Sequence, residues 1–151
     1  MDPQGYDAGK KVTGRKRHIL VDTLGLLLSV AVHPASIQDR DGAALVLDVK
    51  TRALWPFIVK IFADAGYQGA RAALAASSTG SWIIEVVKRT ELHKFAVLPK
   101  RWIVERTLAW ISRNRRLMRD YERYAQTVAA FIRLAMIRLM LRRLVRSTAC
   151  T

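Results

Sequence analysis

The chain has 151 residues and a mass of 17.1 kDa, and it carries 26 Lys plus Arg against 12 Asp plus Glu, a formal net charge of +14. That length predicts one domain with a sizeable core. The balance of 51% hydrophobic and 25% charged residues is that of a globular chain and excludes a disordered one. The charge points to a polyanionic partner; the bland alternatives are a solubilising surface or a ribosomal-type scaffold.

Cys150 is the only cysteine, so neither a disulfide framework nor a cysteine zinc site can form, in keeping with a reducing compartment. Met1 to Tyr6 lack a signal-peptide core. The apolar runs break short of the ~18 residues a membrane span needs, so a cytoplasmic place of work without membrane partners is expected.

Gly5, Gly9 and Gly14 punctuate a basic stretch, Lys10 to Arg17, which reads as a loop. His18 to Val21 and Leu26 to Val32 read as two strands of an antiparallel hairpin, turned at Asp22 to Gly25 and buried on both faces because neither run alternates cleanly. His33-Pro34 ends the pair. A loop from Ser36 leads to a helix capped by Asp39 or Asp41 and running through Ala43 to Val49, until Trp55-Pro56 breaks it. Phe57 to Ala63 is a third strand, parallel to a neighbour. A short helix over Ala70–Ala76 and a fourth strand over Trp82–Val87 follow. Thr90 to Pro99 is a connecting loop. A helix from Arg101 and a last one over Thr127–Val145 complete an α/β order.

Two acids stand out. Asp64 ends an apolar strand, where open α/β sheets build their sites; the competing reading is a cap of the next turn, with Gly66 there for backbone geometry. Glu105 sits in a helix rich in Arg and Trp; the competing reading is an ion pair with a neighbouring arginine. Carboxylates at a strand end and on a helix can together hold a hard divalent cation. Lys10, Lys11, Arg15, Lys16 and Arg17 suit phosphate contacts or form a solvated tail. Arg113, Arg115, Arg116 and Arg119 likewise track a DNA backbone or form a solvated face. Trp102, Trp110 and Tyr121 stack bases or, more in keeping with helical spacing, pack the core. His18 and His33 lack partners at metal-ligand spacing and read as structural. The last helix shows apolar residues on two sides, which implies burial in the domain or in a partner.

Five blocks occur in order: Gly5 to Lys11, Gly14 to Thr23, Gln38 to Ala43, Ala63 to Tyr67 and Arg101 to Thr107. Together they resemble the C-terminal catalytic part of bacterial insertion-sequence DDE transposases. The resemblance implies a single RNase H-like mixed α/β domain over residues 1–151, with a C-terminal helix. It also implies DNA transposition by a metal-dependent DDE mechanism, with Mg²⁺ or Mn²⁺ as cofactor and DNA ends and target as partners. Asp64 matches the family's second Asp, Glu105 its Glu, and Arg101 the arginine four positions before that Glu. The family's tyrosine three positions earlier falls on Leu98, and the basic residue after the Glu falls near Ser112 or Arg113. The family's first Asp lies on a strand upstream of Gly5, and neither Asp2 nor Asp7 replaces it. The sheet is therefore expected to lack its first strand and the chain to be inactive alone, working as a homo-oligomer on DNA or complemented by an upstream-encoded segment. A non-catalytic basic DNA-binding module is the alternative.

Overall fold

The computed structural model describes residues 2, 4–80, 82–87 and 101–148, with the side chains of residues 71, 72, 75, 79, 80, 101 and 148 left aside. The connecting segment expected over Thr90–Pro99 lies outside the described residues.

The centre of the fold is a long hairpin. Strand β1 (Gly5–Asp7) pairs antiparallel with the start of β2 (Val12–Val21), which pairs antiparallel with β3 (Leu27–Pro34) from Arg15↔Pro34 to Val21↔Leu27. Local polar groups make both turns. Asp7 Oδ1 accepts from the backbone N–H groups of Gly9 and Lys10 at 2.9 and 3.1 Å. Asp22 Oδ1 accepts from those of Leu24 and Leu26 at 2.8 and 2.7 Å, and Gly25 takes φ +78°, a conformation that favours glycine. The basic stretch expected as a loop is thus largely strand. Ladder bonds to β1 and β3 order it despite its charge, because its lysines and arginines alternate around a backbone that has two partners.

Helix α1 (Asp39–Val46) and helix α2 (Val49–Leu54) follow. The cap of α1 is Gln38, without a side-chain bond; Asp39 and Asp41 lie in the first turn instead, where carboxylates favour the helix dipole. The single helix expected to Val49 is split, because Asp48 Oδ1 accepts from Thr51 N at 2.7 Å and starts α2 as its cap. Strand β4 (Lys60–Ala63) is shorter than the expected Phe57–Ala63. The Ile58 N–H donates to the Trp55 carbonyl at 3.2 Å, which holds Phe57 in a turn with its ring exposed. A 3-10 turn (Ala65–Tyr67), helix α3 (Ala70–Gly80) and strand β5 (Ile83–Val86) come next. β5 pairs parallel with β4, as expected for this strand. The chain closes with α4 (Arg101–Ser112), α5 (Arg115–Met118) and α6 (Ala125–Thr148).

Period-two alternation gives the hairpin two apolar faces. Ile19, Val30 and Val32 pack with Ile111, Leu117, Val128, Ile132 and Met136 from α4, α5 and α6. Leu20 and Ala31 face the other way and pack with Val46, Leu47, Ala76 and Trp82. Ile61 of β4 and Ile84 of β5 join this second core, so both sheets lie under one pair of helices, α1 and α3. Among the described residues β2 and β4 share no ladder: the sheets are β1-β2-β3 and β4-β5. The architecture is the mixed α/β, RNase H-like arrangement expected, with the C-terminal helix in place. None of the described helices is long and apolar enough to cross a membrane.

Candidate catalytic edge and basic surface

Asp64 follows β4 directly. It caps the 3-10 turn, its Oδ1 accepting from Gly66 N–H at 2.8 Å, and its side chain is otherwise exposed at the carboxyl end of the strand. The capping bond is in place and points the carboxylate. A Cβ at Gly66 would stand 3.1 Å from Asp64 Oδ1 and 3.1 Å from Asp39 Oδ2, so the two carboxylates bracket this glycine. Asp39 reaches the site from the first turn of α1. Its Oδ1 pairs with Lys16 Nζ at 3.2 Å, and Lys16 also pairs with Asp7 Oδ2 at 3.4 Å and donates to the Ile37 carbonyl at 2.9 Å.

Beneath Asp64 lies a buried polar column. The Tyr67 hydroxyl hydrogen-bonds His18 Nδ1, and the two rings meet edge to face. His18 stacks on His33, whose Nδ1–H donates to the Pro34 carbonyl at 2.8 Å. Burial, and then the neighbouring His33, push the His18 pKa down to about 4. Burial, and then the negative charges of Asp39 and Asp64, raise that of Tyr67, which stays a neutral phenol. The structural role expected for His18 and His33 is the one they play. Sequence reasoning missed Asp39 and Tyr67 as parts of the site, although both lie in the blocks Gln38–Ala43 and Ala63–Tyr67 that carried the resemblance.

Glu105 lies on the exposed face of α4. Ile103, Thr107 and Ile111 turn inward. Thr107 Oγ1 lies 2.8 Å from the Gly25 carbonyl, and the Arg106 guanidinium donates to the Leu24 carbonyl at 2.7 Å. Helix α4 is therefore pinned across the tip of the β2–β3 hairpin, with Glu105 at that tip. Asp64 lies across Gly66 from Asp39, whose other oxygen pairs with Lys16. Arg101 opens α4, and its side chain lies outside the described ones. Among the described residues no group of three His, Cys, Asp or Glu converges so as to hold a metal ion. Asp64 and Asp39 offer hard oxygens suited to Mg²⁺ or Mn²⁺, but they do not make a complete site by themselves.

The basic residues divide into two kinds. Arg15 is an anchor: its side chain is 2% exposed, pairs with Asp120 at 3.4 Å and donates to the carbonyls of Glu122 and Arg123 at 3.0 and 2.9 Å. Arg17 donates to the Leu117 carbonyl at 2.6 Å, and Lys16 is held as described. These three therefore tie β2 to its surroundings rather than forming a solvated tail. Lys10 and Lys11 remain exposed, as do Arg113, Arg115 and Arg119 around α5. Arg116, also exposed, is paired with Glu122 at 2.5 Å and lies over the Phe131 ring. Trp110 packs against the α6 core, but Trp102 and Tyr121 are exposed rather than buried. Arg106 lies over the rings of both Trp102 and Trp110, at 4.4 and 4.8 Å from their centroids, and so stands in for the apolar core that helical spacing suggested.

An α/β sheet with an acidic strand end, set in a strongly basic surface, is the arrangement of proteins that work on nucleic-acid phosphates. Residues 1–140 match the family described as the transposase DDE domain. Over 127 residues, 80% of the chain, it is 32% identical to a protein of Burkholderia cepacia described as a putative transposase for insertion sequence element IS402. The chain belongs to the DDE transposase domain family. It spans 60% of the length of that relative. No solved structure matches it.

Proposed function

We propose that this chain acts in DNA transposition as part of an insertion-sequence transposase, at phosphodiester bonds of the element ends and target. The observation that carries the reading is the exposed acid Asp64 at the end of β4 in a chain of net charge +14 that matches the DDE family over most of its length. Asp64 and Glu105 are the acids assigned to a divalent cation, Mg²⁺ or Mn²⁺, with Arg101 as the accompanying basic residue. A bound ion of this kind supplies charge neutralisation and activation of an attacking oxygen.

Asp64 is oriented by its bond to Gly66. Tyr67 and His18 hold the turn that carries it, and Lys16 keeps Asp39 beside it without leaving bare negative charge. Lys10, Lys11, Arg113, Arg115 and Arg119 contact DNA phosphates, with Arg15, Lys16, Arg17 and Arg116 shaping the surface they project from. The isolated chain binds DNA without cleaving it, because neither Asp2 nor Asp7 replaces the family's first Asp. A further acid comes from a second chain or an upstream-encoded segment, working in the cytoplasm. The second reading, a non-catalytic basic DNA-binding module, is favoured by the same incomplete ligand set.

A strand-transfer assay on DNA carrying the element ends separates the two. The chain joined to the upstream segment encoded next to it should cleave and join DNA with Mg²⁺ or Mn²⁺, and Asp64→Asn should abolish both while leaving DNA binding intact. Binding without any cleavage by the joined protein leaves the module reading in place of the transposase one.

A further inference from the structure

Helix α6 carries a second apolar face that the fold leaves exposed. Val128, Ala129, Ile132 and Met136 bury one side against the hairpin. On the opposite side Leu134, Ile137, Leu141 and Leu144 are all exposed, between 46% and 62%. Their spacing is three, four and three residues, the alternation of a two-stranded coiled-coil seam, and Ala130 continues it four residues before Leu134. The seam widens into a groove of about 190 Å³ between α6 and β3, lined by Leu27, Leu28, Ser29, Arg133, Met136 and Ile137 among others.

The charges beside the seam select the occupant. Taking Leu134 and Ile137 as a and d positions, the flanking g and e positions are Arg133 and Arg138, both exposed. From Ala125 to Thr148 the helix has five arginines and no acid. In a parallel pair of identical helices Arg133 of one copy would face Arg138 of the other. In an antiparallel pair each would face its own like. Both arrangements oppose a second copy.

We propose that the exposed face of α6 docks an amphipathic helix of a protein partner that carries Leu or Ile on its seam and Asp or Glu beside it. Leu134, Ile137, Leu141 and Leu144 interdigitate with its apolar residues, and Arg133 and Arg138 pair with its flanking carboxylates.

The test uses the full chain and two synthetic helical peptides identical at their a and d positions, one with Glu and one with Lys at every e and g position. The Glu peptide should bind about tenfold tighter than the Lys peptide, the difference between two favourable and two repulsive interhelical pairs, and its affinity should fall as salt rises. Ile137→Asp with Leu141→Asp should abolish binding. Because both residues are exposed, circular dichroism should remain native. Arg133→Glu with Arg138→Glu should reverse the preference toward the Lys peptide, a result that a merely misfolded variant would not give. Equal binding of the two peptides, or binding of neither, overturns the proposal. So does sedimentation of the chain as a dimer dispersed by Ile137→Asp with Leu141→Asp, or binding of vesicles of anionic lipid in preference to the Glu peptide.

Discussion

The imidazole rings of His18 and His33 stack face to face inside the protein, with centroids 4.5 Å apart and planes 12° from parallel. The contact joins the two strands of the central hairpin at the level of the Tyr67 hydroxyl, directly beneath the turn that carries Asp64. Two imidazoles in that geometry cannot both carry a proton without like-charge repulsion in a desolvated place.

Stability should therefore depend on pH through His18. Its pKa in the fold, about 4, lies below the ordinary value of 6.5, so the unfolded chain takes up this proton first as pH falls. The contribution of neutral His18 is complete above about pH 6.5 and is lost progressively on the way down to about pH 4, on the order of 3 kcal/mol in all. Urea unfolding at several pH values checks this. His18→Gln should flatten the dependence in that window, and an unchanged pH profile would reject the assignment.

Gly42 lies in α1 against the His18 ring, where an added Cβ would run into the imidazole. In an open helix Gly→Ala stabilises by about 1 kcal/mol. Here Gly42→Ala should destabilise by about 1–3 kcal/mol, because the ring is held by Tyr67 and His33 and has no room to yield. Thermal unfolding of the variant gives the sign directly.

The division of the arginines predicts two different effects. Arg15→Ala leaves Asp120 and the carbonyls of Glu122 and Arg123 without their donor and should cost about 2–3 kcal/mol of stability. Replacing Arg113, Arg115 and Arg119 by Ala should leave the melting temperature nearly unchanged and weaken duplex DNA binding across all sequences. The slope of log affinity against log salt should fall by about one unit for each phosphate left without its arginine. A salt titration by fluorescence anisotropy, beside calorimetry of each variant, separates the two effects.

Thr107 is fully buried, and its hydroxyl lies within hydrogen-bond distance of the carbonyls of Gly25 and Ile103. Thr107→Val keeps the shape but leaves the turn carbonyl unpaired, at a cost of about 1–2 kcal/mol. Ile132, also fully buried, sits at the centre of the α6 core, and Ile132→Ala should cost about 2–5 kcal/mol. Denaturant midpoints measured at a constant m-value check both.

Local pattern alone determined the hairpin, the parallel character of the β4 segment, the helices after Arg101 and the acid at the end of β4. Each depends on neighbours within a few residues: apolar period, turn chemistry at Asp22 and Gly25, and an Asp-x-Gly step after a strand. The same locality made Lys10 to Arg17 read as a loop, because charge density is visible in a sequence and ladder partners are not. Arg15 and Arg113 are alike as letters. Only the fold places one against Asp120 and leaves the other in water. His18 lies 49 positions from Tyr67 along the chain, and Asp39 is remote from both in sequence, yet all three come to one place beside Asp64 because α1 packs on β2 and β3 and against the Ala65–Tyr67 turn. Glu105 reads as the natural companion of Asp64, and only the fold supplies the bonds of Arg106 and Thr107 to the hairpin turn that fix its helix. The reason is physical: periodicity sets which face of an element is buried, but the end of the sheet to which an element is pinned is decided by single long-range hydrogen bonds and by how two cores share one hairpin.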